Sequence, residues 1–237
     1  PAASARFRCG ISIRTETGRM LQGQPYAPIA LEPGDVVSLA APARGMRYYL
    51  AVRGGFEVET ILGSAATDTL AIVGPAPVQA GQTLKVKPAS GLRAVSLDEA
   101  PEFEFPKAGD EVTLDLVMGP RPDWFTAAAL ETLATEAWVV TPQSNRVGIR
   151  LDGEGILERS RTEELPSEGT VTGAVEVPAN GKPLLFLADH PLTGGYPVIG
   201  AVAEYHLDLA GQVPVGAKIR FRPLKAFAEI TPKQRGE

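Results

Sequence analysis

The sequence predicts a mainly β protein with one clear helix, and three observations support this prediction. The 25 Gly and 21 Pro are spread along the 237 residues without low complexity, which indicates many turns between short strands. One stretch, residues 127–137, has the i, i+3, i+4, i+7 apolar spacing of an amphipathic helix. Four segments place a glycine turn before alternating or continuous apolar residues, which is typical of a turn that leads into a strand: LEPGDVVSL (32–40), VQAGQTLKV (78–86), FPKAGDEVTL (105–114) and VPVGAKIRF (213–221).

Two further segments of the first half add to this pattern. YLAVRGGFEV (49–58) predicts a strand that ends at Gly54 and Gly55, and LGSAATD (62–68) predicts a polar loop. Taken as local patterns, both are simple turn-forming segments.

The predicted helix has its own boundary signals. Thr126 is placed to cap the first turn, and Phe125 and Leu130 have the spacing of a hydrophobic staple. The apolar segment AWVVT (137–141) follows directly and predicts a strand.

The last third of the chain contains further strand patterns. LLFLA (184–188) is a continuous apolar run of strand length, so we expect it to be buried on both faces. VIGAVA (198–203) is a second strand candidate, and residues 206–211 predict a short helical turn.

The turn-and-strand segments fall as an early and a late member in each half, which suggests two related β units. Residues 92–110 are acidic and lack a steady period, so we place the boundary there. The predicted units are residues 1–100 and 101–237.

Composition excludes several classes of partner. The 23 basic and 28 acidic residues give a formal net charge of −5, and no basic cluster is present, which argues against a nucleic-acid surface. The longest apolar stretch, residues 183–188, is far shorter than the roughly 20 residues of a membrane helix. With Cys9 as the single cysteine and no apolar leader, we expect no internal disulfide and a cytoplasmic location.

Several chemistries lack their sequence signals. The chain contains no GxxxxGK[ST] phosphate loop, no strand-linked GxGxxG and no GxSxG elbow. Two histidines and one cysteine, widely separated, do not form a zinc pattern, so we expect no metal. A biotin-carrying lysine flanked by methionines is also absent.

The first candidate motif for a site is PQSNRVGIRL (142–151). A period-two strand sends alternate side chains to opposite faces, which would place Arg146, Gly148 and Arg150 together, opposite Ile149. Two guanidinium groups about 7 Å apart on one face can bind a carboxylate or a phosphate. Alternatively, both arginines pair with acidic neighbours such as Glu158 or Glu168.

The second motif is SEGTVTGAVEVPANGKP (167–183). Ser167, Glu168 and Gly169 offer a hydroxyl, a carboxylate and a flexible backbone in succession, which suits either a ligand-binding loop or an ordinary polar turn. Glu176 lies between two valines, so we expect its side chain to point away from the core, toward the space of Arg146. Its carboxylate could act as a base or pair with an arginine.

The third motif is LADHPLTGGYP (187–197), in which a glycine loop follows a buried strand. Asp189 ends the strand, and Thr193, Gly194, Gly195 and Tyr196 form the loop, where backbone N–H groups can face an anion. The alternative is that Asp189 caps the turn and Tyr196 packs.

These three motifs resemble the urea amidolyase-related family, also called allophanate hydrolase subunit 2, the C subunit of 5-oxoprolinase or the KipI-antagonist family. The same unit recurs in the carboxyltransferase domain of biotin-dependent urea carboxylase. The resemblance is strongest over residues 117–221 and looser over 25–81. It implies two cyclophilin-like β-barrel units.

The resemblance also implies a function. This would be one component of an ATP-dependent 5-oxoprolinase-type hydrolase, acting on C–N bonds of a small anionic amide or lactam. Its companion would be KipI-like, similar to the B subunit of 5-oxoprolinase. The alternatives are a biotin-dependent carboxyltransferase acting on a urea-like amide and a non-catalytic regulatory subunit. No cofactor would be bound by this chain, with ATP or carboxybiotin supplied through partners.

Site roles follow from the same resemblance. Arg146, Glu176 and Asp189 are the expected catalytic residues. The expected substrate-binding residues are Arg150, Ser167, Glu168, Thr193, Gly194, Gly195 and Tyr196.

Three departures from the family pattern stand out. Asn145 replaces the usual Asp, and Glu176 stands where Gln is more frequent. The usual opening segment has no counterpart before Pro1, so we expect a fragment whose first unit exposes a strand edge that can pair with another chain.

Overall fold

The computed structural model describes residues 10–91, 101 and 103–224, so Cys9 and most of the region 92–102 lie outside the described part. The chain divides into two compact units, Pro1–Lys107 and Ala108–Glu237. The units predicted from the sequence were residues 1–100 and 101–237, with the boundary placed within 92–110.

The first unit contains a three-stranded antiparallel sheet. Its strands are β1 (Ile11–Arg14), β2 (Met20–Gln22) and β3 (Val36–Leu39), with β1 in the centre. Gly34, at a φ of +87°, turns the chain into β3, as the glycine-turn pattern predicted. Ile13 faces Leu21 and Val37 across the sheet and is only 4% exposed.

Two strand predictions in the first unit are wrong. Residues 49–58 and 78–86 form turns and extended segments that share a single isolated bridge, between Phe56 and Val86. Their apolar side chains are not buried, and Leu50 is 69% exposed. The alternation of apolar and polar residues there therefore does not produce a buried sheet face. The polar loop predicted at 62–68 is present. Among the described residues of this unit, the sheet stays open.

The second unit is a closed barrel of seven strands, which confirms the mainly β prediction. Its strands are β4 (Glu111–Met118), β5 (Trp138–Val140), β6 (Gly148–Asp152), β8 (Ala174–Glu176), β9 (Leu184–Phe186), β11 (Val198–Val202) and β12 (Lys218–Pro223). They follow one another around the barrel as β11, β4, β12, β5, β6, β9 and β8, which returns to β11. β4 and β12 pair in parallel, and the other neighbours are antiparallel. Outside the barrel, β7 (Glu168–Gly169) and β10 (Thr193–Gly194) form a two-stranded sheet.

The predicted helix is confirmed as α1 (Ala127–Thr135). The Thr126 hydroxyl caps it by accepting the Ala129 N–H at 3.1 Å. The helix ends before residue 137 because Glu136 adopts an extended backbone conformation. The short helical turn expected at 206–211 is present as α2 (Leu207–Gly211), preceded by a single 3₁₀ turn, Glu204–His206. A second 3₁₀ turn, Pro122–Trp124, precedes α1.

The barrel interior is filled by alternate side chains of its strands and by one face of α1. The largest fully buried side chains include Trp138, Phe221, Leu114, Leu116 and Leu133. The Trp138 indole Nε1 donates to the Leu133 carbonyl oxygen at 3.4 Å, so the polar atom of this side chain is not left unpaired.

A second, smaller apolar cluster lies apart from this core and is here called the outer cluster: Ala174, Leu184, Phe186 and Val198. Leu185, between Leu184 and Phe186, belongs to the main core. β9 is therefore buried on both faces, as its continuous apolar run predicted.

A buried carboxylate, Asp115 on β4, links β4 to the neighbouring strand β12 and to the Glu204–His206 turn. It is 5% exposed, and its oxygens accept from Arg222 Nε at 2.5 Å and the Tyr205 hydroxyl at 2.6 Å. His206 Nδ1 accepts the Asp115 backbone N–H at 2.9 Å. The bonds from Arg222 first and Tyr205 second lower the pKa of Asp115 from 3.8 to about 2.

Replacing Asp115 with asparagine is expected to lower the free energy of unfolding by about 1–3 kcal/mol, because a buried hydrogen-bonded charge loses its match to Arg222. In the unmodified protein this contribution is fully present above pH 3.8 and is lost as the pH falls toward 2, since the folded state holds the lower pKa. Urea unfolding at pH 7 and pH 3 measures both effects. Asp208→Asn, at an exposed aspartate, is the control. Equal losses in the two variants would contradict the assignment.

Candidate functional site

The second and third sequence motifs meet at the two-stranded sheet outside the barrel. In it, Gly194 of β10 lies opposite Glu168 of β7, and Thr193 lies opposite Gly169. The glycine loop is thereby attached to the polar SEG segment, which is more than 20 residues earlier in the chain. The sequence had predicted both as site segments, and the structure brings them together.

Glu176, at the end of β8, lies beneath this sheet. Its neighbours Val175 and Val177 belong to the barrel core, so the Glu176 side chain points away from the core, as predicted. It is nevertheless only 3% exposed, because the glycine loop covers it. The Tyr196 N–H donates to the carboxyl group, whereas Oε1 is buried with no hydrogen-bond partner among the described residues. Burial raises the pKa of Glu176.

The close approach to Glu176 explains the glycine at position 194. A Cβ on Gly194 would lie 1.9 Å from Glu176 Oε1, so no other residue fits without displacing the carboxyl group. At Gly195 the nearest atom to such a Cβ is the Leu165 carbonyl oxygen, at 3.9 Å. The two glycines thus differ: the first is required by contact with a buried acid, and the second leaves room for a side chain.

Arg146 does not lie on the strand face where the period-two pattern placed it. β6 begins at Gly148, and the preceding residues form a turn in which Asn145 Oδ1 accepts the N–H groups of Val147, at 2.9 Å, and of Gly148, at 3.2 Å. The shared face predicted for Arg146 and Arg150 is therefore not formed, because the Asn145 turn ends the alternation. Asn145 does this with an amide oxygen, so the turn needs no negative charge.

Instead, Arg146 pairs with Asp189, whose Oδ2 lies 3.0 Å from Arg146 Nε. The Leu187 N–H donates to the Val147 carbonyl oxygen at 2.9 Å, which ties the two segments together. Two of the expected catalytic residues are thus joined as an ion pair beside the glycine loop. The acidic partners considered from sequence, Glu158 and Glu168, are not the partners in this pair.

Strand register places Arg150, rather than Arg146, in line with Glu176. Arg150 lies opposite Leu184 on β9, and Leu184 lies opposite Glu176 on β8. Directly opposed residues in neighbouring strands share one face of the sheet. Arg150 and Glu176 therefore flank Leu184 on the outer surface of the barrel, with Cα atoms about 10 Å apart from two strand spacings.

A cleft of about 310 Å³ opens beside Arg150. The polar groups of its wall belong to Thr141, Gln143, Arg150, Asp152, Asn180 and Lys182, and Leu184 contributes an apolar side. Sequence reasoning had not identified Thr141, Gln143, Asn180 or Lys182 as site residues. The Asn-Gly turn at 180–181 was the available signal, since it closes the hairpin between β8 and β9 and so presents its side chains at one edge.

Glu168 is held by an arginine that the motifs did not include. Arg121 makes a two-bond ion pair with its carboxylate, with Nε 3.1 Å from Oε2. The hydrogen bond from Arg121 lowers the pKa of Glu168. Ser167, directly before it, is exposed.

Tyr196 and Thr193 lie on the outer side of the glycine loop. Tyr196 is 46% exposed, and the guanidinium carbon of Arg159 lies 5.8 Å from its ring centroid. Arg159 also donates to the Val177 carbonyl oxygen, and its Nε is buried without a hydrogen-bond partner among the described residues. Thr193 is exposed.

His190 anchors the start of the loop. Its Nδ1 lies 2.7 Å from the Pro191 carbonyl oxygen and 3.0 Å from Thr170 Oγ1, and its ring stacks on Phe186 at a centroid distance of 6.0 Å. Because a carbonyl oxygen only accepts, Nδ1 must carry a proton to bond to it. The contacts of His190 thus hold the loop against the outer cluster.

Over the part of the chain that the structure describes, no three His, Cys, Asp or Glu side chains are grouped so that they could hold a metal ion. Within the same residues, neither helix has the length and apolar character needed to cross a membrane.

Comparisons with known proteins agree on one family. Residues 8–223 match the family described as "Carboxyltransferase domain, subdomain A and B". The C subunit of 5-oxoprolinase from Escherichia coli (strain K12) is 33% identical over 195 residues, covering 81% of this chain and 61% of that protein. The urea amidolyase of Lachancea kluyveri is 30% identical over 224 residues, covering 83% of this chain and 12% of that protein.

A solved structure supports the same grouping. The urea carboxylase of Kluyveromyces lactis superposes with a TM-score of 0.74 at 26% sequence identity, over 91% of this chain and 20% of that one. The chain spans less than two thirds of the length of the curated relatives that it matches.

Proposed function

The chain belongs to the carboxyltransferase-domain family, subdomain A and B, and we propose that it serves as one component of a 5-oxoprolinase-type enzyme that opens an amide or lactam bond. The observation that carries this proposal is the 33% identity to the C subunit of a 5-oxoprolinase across 81% of this chain. That relative is named as one subunit among several, which supports action together with partner chains. ATP would be supplied through those partners.

The buried Glu176 suits the proton transfer that such a reaction needs. When a lactam is hydrolysed, the bond between the carbonyl carbon and nitrogen breaks and water supplies the hydroxyl group of the new acid. The departing nitrogen takes up a proton from an acid group, and the remaining proton of the water restores that group. A carboxyl group whose pKa is raised by burial keeps its proton at higher pH than an exposed glutamate and can donate it to that nitrogen. The unpaired Oε1 is the atom available for this transfer.

Access to Glu176 requires the glycine loop to move, because Gly194 lies directly over Oε1. β10 pairs with β7 over only two residues, so little backbone pairing has to be broken. Once the loop has opened, the backbone N–H groups of Gly194 and Gly195 are the proposed donors to the developing oxyanion, a contribution of about 3–4 kcal/mol for each donor in other enzymes.

The Arg146–Asp189 pair lies at the start of this loop and has the proposed role of orienting it. Asp189 is one residue before His190, which fixes the loop to the outer cluster. Arg146 keeps a side chain that is 53% exposed, so its guanidinium can also reach an anionic group of the substrate.

A second candidate function is carboxyl transfer from carboxybiotin to a urea-like amide. The superposition with a urea carboxylase, at a TM-score of 0.74 over 91% of the chain, supports it. Under this alternative the same surface would receive a biotin group carried on another protein.

Reconstitution with the companion subunits decides between the two functions. We expect ATP-dependent conversion of 5-oxo-L-proline to glutamate that requires this chain, and no carboxylation of urea when carboxybiotin is supplied. Carboxylation of urea without lactam opening would replace the proposal by the alternative. Stable binding to the companions with neither reaction would indicate a regulatory role and overturn both.

A further inference from the structure

We propose that the cleft beside Arg150 is a binding site for the carboxylate of a small molecule that also bears an amide. The proposal deepens the proposed function, on which it rests for the choice of ligand. Its basis is a set of unpaired polar groups around a single uncompensated cation, on the surface shared with Glu176.

Arg150 supplies the positive charge. Its side chain is exposed, and among the described residues the guanidinium group makes neither a hydrogen bond nor an ion pair. By contrast, Arg121, Arg146, Arg220 and Arg222 each pair with a carboxylate in the same unit. A planar guanidinium with its donors free can bind a carboxylate through two parallel hydrogen bonds.

The other cation in the cleft, Lys182, already makes an ion pair and hydrogen bonds within the protein. Its Nζ lies 3.2 Å from Asp152 Oδ1, donates to the Gly155 carbonyl oxygen at 3.0 Å and also bonds to the Gly153 carbonyl oxygen. The opposite charges of Lys182 and Asp152 therefore cancel. The cleft is left with one net positive charge, which matches one carboxylate better than a phosphate group.

Neutral polar groups surround this charge. Thr141 is next to Arg150 across the sheet, since its N–H donates to the Arg150 carbonyl oxygen at 2.9 Å, and its Oγ1 is buried without a hydrogen-bond partner among the described residues. Gln143 follows it along the chain, and its side-chain amide makes no bond to the described residues. Asn180 uses its Oδ1 to accept the Lys182 N–H at 3.1 Å, which leaves its amide donors for a ligand.

The exposed amide of Gln143 favours a ligand that itself carries hydrogen-bonding groups, because an apolar occupant would bury this amide without a partner. Leu184, Pro178 and Pro183 add an apolar side to the cleft. A volume of about 310 Å³ lies at the lower end of the range for small-molecule sites, which suits a compact ligand. The matching class is a short carboxylic acid with an adjacent amide or lactam group.

The register adds a functional reason for this position. Arg150 and Glu176 flank Leu184 on one surface, so a carboxylate held by Arg150 would direct the rest of a small ligand along the surface that leads to the glycine loop. Arg150 would then set the substrate's orientation and not take part in proton transfer.

Titration calorimetry on the full chain with 5-oxo-L-proline and 2-pyrrolidinone tests the proposal, because the two lactams differ only by the carboxylate. We expect 5-oxo-L-proline to bind at least tenfold more tightly. Arg150→Ala should remove that preference, and Arg150→Lys should restore only part of it, since an ammonium group lacks the two-bond geometry. Lys218→Ala, at an exposed cation on β12, is the matched control and should keep the preference.

Equal affinity for the two lactams, no binding of either, or an unchanged preference in Arg150→Ala would overturn the proposal. The reconstituted enzyme separates this outcome from a failure of the proposed function. A complex that opens 5-oxo-L-proline with the same KM in the Arg150→Ala variant would retain the function and exclude the Arg150 site.

Discussion

In the reconstituted enzyme, Glu176→Gln is expected to lower turnover of 5-oxo-L-proline by roughly 10²- to 10⁴-fold, the usual contribution of a positioned acid or base. Glutamine keeps the size of the side chain and can still accept the Tyr196 N–H, but it cannot release a proton. The variant should therefore keep its fold and lose most of its turnover. Circular dichroism and a thermal melt of the variant check the fold, and a coupled glutamate assay measures turnover.

The same variant should show a pH-dependent gain in stability. Because burial raises the pKa of Glu176 above its ordinary value of 4.5, the folded state favours the protonated form. Its stabilising contribution is fully present below pH 4.5 and is lost as the pH rises through the raised value. Glu176→Gln should thus match the unmodified protein at low pH and exceed it in free energy of unfolding at neutral pH.

Glu154→Gln, at an exposed glutamate in the loop after β6, is the control for both measurements and should change neither turnover nor stability. Full activity in the Glu176→Gln variant would show that Glu176 does not transfer a proton in the reaction. A loss of activity accompanied by unfolding would mean that the carboxyl group acts through structure alone.

Replacing Gly194 with alanine is expected to lower the free energy of unfolding by about 1–3 kcal/mol, the range for forcing an extra carbon into a packed site. The added Cβ would lie 1.9 Å from Glu176 Oε1, so the carboxyl group or the glycine loop must shift. Turnover should also fall, because the loop no longer closes over Glu176 as it does now. Chemical denaturation and the glutamate assay measure the two effects.

Gly195→Ala is the matched control one residue away. Its new Cβ would meet only the Leu165 carbonyl oxygen at 3.9 Å, so we expect a change within about 0.5 kcal/mol. A double variant, Gly194→Ala with Glu176→Ala, should recover part of the stability, since shortening residue 176 makes room for the new methyl group. Equal losses at positions 194 and 195, with no recovery in the double variant, would show that the contact is unimportant.

Local patterns predicted much of the second unit. The glycine turns at 109 and 216 lead into β4 and β12, and the apolar spacing of 127–137 places α1 with Thr126 as its cap. In the first unit the same reasoning was wrong at 49–58 and 78–86. There, alternation was not accompanied by burial, and a strand is stabilised by its partner and its core face more than by its own residues.

Candidate site residues were harder to predict than strands. The period-two pattern placed Arg146 and Arg150 on one strand face, but the hydrogen bonds of Asn145 form a turn between them. The sequence assigned the glycine loop and the SEG segment to one site without indicating that they pair, which β10 and β7 do. The reason for Gly194, however, is contact with Glu176, which local pattern did not indicate.

The amino-acid sequence by itself determined the mainly β class, the positions of most turns and strands of the barrel, the capped helix and the family, because each depends on neighbouring residues or on short motifs. Tertiary structure alone decided which of these side chains lie near one another: Arg146 pairs with Asp189, Glu168 pairs with Arg121, and Arg150 and Glu176 lie on either side of Leu184. The physical reason is that each of these contacts joins segments distant in the chain, and their pairing depends on how the whole barrel closes around its core. For Arg150 and Glu176 strand register decides, since a shift of one residue would send either side chain to the opposite face.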